Sequence, residues 1–107
     1  MWARHRALLG RREVPTVPAP VVAQSWHGSA RQVKLGRLLA DCEVEALDDP
    51  QARSVGAIAA RAASTDIVHA CVVEGALRRR DLVASSDADH LQSIVSATGL
   101  RLEIDQP

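Results

Sequence analysis

A chain of 107 residues, 47% hydrophobic and 24% charged, has the length for one small domain with a modest core and the balance of an ordinary globular protein. It contains two Trp but neither Phe nor Tyr, so packing falls to Ala, Val, Leu and Ile, which argues against a nucleic-acid module built on aromatic base stacking. The formal net charge is zero but segregated: residues 1 to 40 carry seven Arg or Lys against Glu13 alone, and residues 41 to 107 carry six Arg against twelve Asp or Glu. A basic face attracts phosphates and an acidic cluster holds a cation, although solvated charge that happens to be segregated explains the same pattern. Cys42 and Cys71 sit far apart in apolar surroundings without metal-ligand spacing, as buried thiols do. No apolar run approaches membrane-spanning length and the Arg-rich start has no signal-peptide core behind it, which makes the cytoplasm the expected location.

In chain order, Trp2–Leu9 has a helical pattern that Gly10 can end, and Arg11–Glu13 make a polar turn. Val14–Val17 is extended, because each residue before a proline is pushed away from helical geometry. Pro18-Ala19-Pro20 starts a helix through Trp26, with proline placed where amides are spare. His27-Gly28-Ser29 breaks it, and Ser29 can cap a helix from Ala30 to Ala40 with Val33, Leu35, Leu38 and Leu39 on one face. Cys42–Leu47 alternates Cys, Val and Ala against Glu43 and Glu45 and reads as a strand. Asp48 or Asp49 caps the next helix, with Pro50 in its first turn and Val55, Ile58 and Ala59 on its apolar side.

Ser64–Leu91 organises the rest. Ser64 or Thr65 can cap a helix whose first turn holds Asp66, whose buried stripe is Ile67, Val68, Cys71, Val72 and Leu77, and whose end carries Arg78–Arg80. Leu82–Ala84 is a short buried strand, followed by Ser85, Ser86, Asp87, Ala88 and Asp89 at its carboxyl end, the edge where open α/β sheets place their sites. A helix from Asp87 to Ala97 buries Leu91, Ile94 and Val95, Thr98-Gly99 ends it, and Leu100–Ile104 closes as a strand. Helices alternating with short strands predict a parallel α/β sheet in a single domain over residues 1 to 107.

The segments VPTVPAPVVAQSW, CEVEAL, TDIVHACVVEGALRRRDLVASSDADHL and GLRLEI together resemble a PIN domain, and within that family the VapC-like toxins of bacterial toxin–antitoxin pairs. The resemblance spans nearly the whole chain and is most specific at Ser86-Asp87 and in the run Asp87–Leu91. It implies a three-layer sandwich around a short parallel sheet and a ribonuclease dependent on Mg²⁺ or Mn²⁺, in which converging carboxylates hold a cation that activates water. It also implies an RNA substrate, an antitoxin partner and a homodimer, with no membrane. The central first strand and its aspartate have no counterpart, since Met1-Trp2 resembles the middle of the helix that follows, and the chain is expected to be N-terminally incomplete. The second acidic position falls on Gln24, the third on His69 and the fourth on Asp87, while Asp89 matches a supplementary acid. Asp66, one turn before His69, shares its face. The implied catalytic residues are therefore Asp66 and Asp87, and the implied metal residues Asp66, His69, Asp87 and Asp89.

Each has a plainer reading. Asp66 and Asp87 precede helices and serve as caps, His69 is a hydrogen-bonded core or surface histidine, and His27 and His90 are exposed. Three functions stay open: a metal-dependent ribonuclease, a catalytically inactive PIN-like module that binds RNA or a protein partner, and a small phosphate-binding α/β protein. The last has no glycine-rich phosphate loop to support it.

Overall fold

The computed structural model describes residues 14–26 and 33–106; the expected helix Trp2–Leu9, the turn after it and the break at His27-Gly28-Ser29 lie outside them. The order is β1 (Thr16–Pro18), α1 (Ala19–Ser25), α2 (Val33–Ala40), β2 (Glu43–Glu45), α3 (Asp49–Arg61), α4 (Ile67–Arg79), β3 (Val83–Ala84), α5 (Ala88–Thr98) and β4 (Ile104–Asp105). The fold is mixed α/β, and 60% of the described residues are helical, so helix packing rather than sheet pairing carries the core. Among the described residues no helix is long and apolar enough to cross a membrane.

Local chemistry sets the helix bounds. Pro18 is the extended N-cap of α1, whose first turn holds Pro20. Asp48, not Asp49, caps α3, and it forms a full capping box with Gln51: the Gln51 amide donates to Asp48 at 2.8 Å while the Gln51 side chain takes the Asp48 amide. Gly99 ends α5 in the left-handed region at φ 73°, a conformation glycine takes without steric cost. Arg80 ends α4 in the same region at φ 57°.

The strands form two parallel pairs. β1 pairs β2 in the register Val17 to Val44, and β3 pairs β4 in the register Val83 to Ile104 and Ala84 to Asp105. β4 is shorter and later than the expected Leu100–Ile104, and Leu100 is 61% exposed, because only the last residues reach β3. Around β2 the expected alternation holds at Cys42 and Glu43 and reverses at the next two residues. Val44 is exposed and Glu45 is half-buried, since Glu45 receives Arg79 at 2.9 Å and Arg78 from the end of α4. Arg78 also donates to the buried Glu74 at 2.9 Å, and Arg79 to Asp81 at 2.8 Å. Gly75 makes room for this fold-back, as a Cβ there would stand 2.8 Å from the Arg79 guanidinium.

α4 is the hub, packing against α1, α3, α5 and β1. Its buried residues are Ala70, Cys71, Val73, Glu74, Gly75 and Ala76; of the expected stripe Cys71 is buried, Val68, Val72 and Leu77 are half-buried, and Ile67 is exposed. A helix contacted from several sides buries its small residues where neighbours approach closely. Val73 and Ala76 join Val83, Leu91, Ile94 and Val95 in one cluster, while Ala70 and Cys71 join Val55 and Ala59 in a second, with Ile58 touching both. This packing fixes the starts of α4 and α5 relative to the carboxyl end of β3.

Candidate metal centre

Two helix starts meet, and each brings an aspartate followed three residues later by a histidine. Asp66 is the N-cap of α4 and its Oδ1 accepts the His69 amide at 3.1 Å, with Ser64 Oγ in turn accepting the Asp66 amide at 3.1 Å. Asp87 occupies the N-cap position of α5 after β3, and Ser85 Oγ accepts its amide at 3.0 Å. The Asp87 carboxylate makes no cap hydrogen bond. Instead His69 Nε2 donates to Asp87 Oδ2 at 2.9 Å, and His90 Nε2 donates to Asp66 Oδ2 at 3.1 Å, so each imidazole reaches across to the other helix's aspartate. The two rings stand edge to face with centroids 4.5 Å apart.

His69 Nδ1 lies 2.6 Å from Asp66 Oδ2, within ion-pair distance, yet the contact is not directed as a hydrogen bond and the nitrogen is buried without any such partner. Asp66, His69 and His90 each present a ligand atom within 4.8 Å of the others, the geometry of a site for a metal ion. The Asp66 carboxyl is held below the ordinary aspartate range, chiefly by the His69 backbone amide; partial burial opposes this, and the two imidazoles add to it.

Of the residues expected at a site, Asp66, His69 and Asp87 are brought together. Asp89 lies exposed in the first turn of α5, and among the described residues it makes no hydrogen bond or ion pair with the others. Gln24 is exposed near the end of α1. His90 is the addition. The signal for it is the repeated spacing Asp66-x-x-His69 and Asp87-x-x-His90, which places a cap residue and a third-position side chain on one face of each helix start. Neither cysteine is in a disulfide, and burial raises each thiol pKa, which disfavours the reactive thiolate, assisted by Asp41 at Cys42 and by Glu74 at Cys71.

This donor set does not suit Mg²⁺, which asks for hard oxygen ligands in octahedral array. One carboxylate and two imidazoles face the centre, and the second carboxylate is engaged by His69. Mn²⁺ and Zn²⁺ accept imidazole. Comparison with known protein families, curated proteins and solved structures found no match.

Proposed function

We propose that the chain is a PIN-like domain acting on RNA as a metal-dependent endoribonuclease, with Asp66 and Asp87 as its essential acids and His69 beside them. The observation that carries the reading is the meeting of Asp66, His69 and Asp87 at the carboxyl end of β3, through a 2.6 Å contact between Asp66 and His69 one helical turn apart and a 2.9 Å contact from His69 to Asp87 on the next helix. The fold that goes with it is a three-layer sandwich around a short parallel sheet. Parallel pairing in both strand pairs, with β1 and Val83 of β3 both against α4, supports that reading. A bound divalent ion would supply an activated water at neutral pH. Two helix starts aimed at the same place favour a phosphate oxygen once a cation balances the carboxylates. Most of the basic charge expected to steer RNA falls outside the described residues, Lys34 and Arg37 of α2 excepted.

The test is cleavage of a single-stranded RNA with Mn²⁺ or Mg²⁺. Under this reading cleavage is abolished by EDTA and reduced at least a hundredfold by Asp87→Asn. Absence of cleavage with either ion by the folded protein refutes it. A second reading, an inactive PIN-like module that binds RNA, an antitoxin protein or its own copy, is favoured by one observation: Asp87 is committed to His69, leaving Asp66 as the carboxylate that faces the centre. Salt-sensitive RNA binding without metal-dependent cleavage distinguishes it.

A further inference from the structure

We infer that Asp66, His69 and His90 form a site for one borderline transition ion of the Zn²⁺ class, in which His69 ligates through Nδ1 and Asp87 positions His69 without binding the ion. The inference starts at the 2.6 Å approach of His69 Nδ1 to Asp66 Oδ2. Asp87 is an acceptor when ionised, so His69 Nε2 at 2.9 Å from it carries the hydrogen, and in the neutral ring Nδ1 then presents a lone pair. A lone pair and a carboxylate oxygen at 2.6 Å repel, so something positive belongs beside them. A proton on Nδ1 is poorly served, because the contact is not directed as a hydrogen bond. A metal ion standing off both atoms meets both lone pairs.

The remaining geometry agrees. Asp66 Oδ1 is held by the His69 amide, leaving Oδ2 for the ion as a fixed single oxygen. His90 Nε2 approaches the same Oδ2 at 3.1 Å, close to the roughly 3.3 Å between donors that bonds of about 2.0–2.1 Å at tetrahedral angles require. His69 Nδ1, at 2.6 Å, must by contrast draw back from Oδ2 by about 0.7 Å as the ion enters. The ion takes the place of the hydrogen that His90 donates to Asp66, which moves to the other nitrogen of that ring. Side chains of Asp66 and His90 that are 32% and 40% exposed leave the centre open to water or substrate on one side. Imidazole donation to a carboxylate behind the ligand is the usual device for fixing a metal-binding tautomer, and losing it costs about 10–100-fold in affinity.

The inference shares its residues with the proposed function, and the experiment separates the two. ZnCl₂ is titrated into the EDTA-stripped, dialysed chain by calorimetry, and circular dichroism is recorded for each variant. One ion per chain is expected, unmoved by millimolar MgCl₂. His90→Ala and Asp66→Ser should each weaken binding at least a hundredfold. Asp87→Asn should weaken it about 10–100-fold, and Asp89→Asn should leave it unchanged. In the Zn²⁺ form, nitrogen chemical shifts should report a metal-bound Nδ1 and a protonated Nε2 at His69. No saturable Zn²⁺ binding by the folded chain, binding untouched in His90→Ala, displacement by Mg²⁺, or a His69 ligating through Nε2 would each overturn the inference. Zn²⁺ binding without RNA cleavage sustains this site and removes the nuclease reading; Mg²⁺-dependent cleavage without Zn²⁺ binding does the reverse.

Discussion

Asp66 carries two roles on two oxygens, and substitution separates them. Oδ1 caps α4 by accepting the His69 amide at 3.1 Å, and Oδ2 faces the two imidazoles. Serine is as good an N-cap as aspartate but has no carboxylate to offer a metal, whereas alanine supplies neither function. Asp66→Ser and Asp66→Ala should therefore lose metal binding equally, while their stabilities differ by the cap alone, about 1 kcal/mol. For a domain of this size that difference corresponds to a melting-temperature gap of roughly 4–6 °C. Thermal melts in EDTA, followed by circular dichroism at 222 nm, read the cap without any metal contribution. Equal melting temperatures for the two variants would refute the assignment of Oδ1 as the cap, and with it the argument that Oδ2 is held in place for the imidazoles.

Further outcomes are expected elsewhere in the fold. Leu91, 1% exposed and packed with Val73, Ile94 and Val95, should cost about 2–5 kcal/mol on truncation to alanine, measured by urea unfolding. Gly56 is exposed on α3 with nothing near the space a Cβ would take, so Gly56→Ala should raise stability by about 0.5–1 kcal/mol in the same assay. Glu45 has its pKa lowered, first by the hydrogen bond from Arg78, so its contribution is fully present above about pH 4.5 and is lost as the pH falls through its lower folded value. Wild type should accordingly exceed Glu45→Gln in stability at pH 7, by a margin that closes below about pH 4.5 in melts at stepped pH.

Local signals were legible because they act over a few residues. Pro18, Asp48, Pro50 and Gly99 set helix starts and stops through their own backbone or a side chain three residues away, and the structure places the helices there. The parallel pairing of short strands also follows from helices alternating with apolar runs. What failed was information held by distant residues. The reversal at Val44 and Glu45 depends on Arg78 and Arg79, more than thirty residues away, and the alternation in CEVEAL contains no trace of them. On α4 the periodicity finds Cys71 and the flanking Val72 and Leu77 but not Ala70, Val73, Gly75 and Ala76, because neighbouring elements approach the small residues most closely. The sequence around His90 suggests only an exposed residue, because its partner Asp66 lies 24 residues earlier, although the repeated Asp-x-x-His spacing is a signal for the pair.

That spacing ties the site to the core in a specific way. A residue at an N-cap and one three positions later share a face by helical geometry alone, so each Asp-His pair comes assembled with its helix. Bringing the two pairs together takes only the relative placement of α4 and α5. His69 is followed by Ala70 and His90 by Leu91, both among the most buried residues in the molecule. Neither helix can rotate without moving one of those residues out of its cluster, so core packing fixes which way the imidazoles face. The cross-contacts of 2.9 and 3.1 Å are then a consequence of how Val73, Leu91, Ile94 and Val95 pack, rather than the force that holds the helices together. A contact between an imidazole and a carboxylate that stays partly open to solvent is worth too little to do that. The polar ring therefore reads as a product of the hydrophobic fold, free to trade its hydrogens for an ion without loosening the helices beneath it.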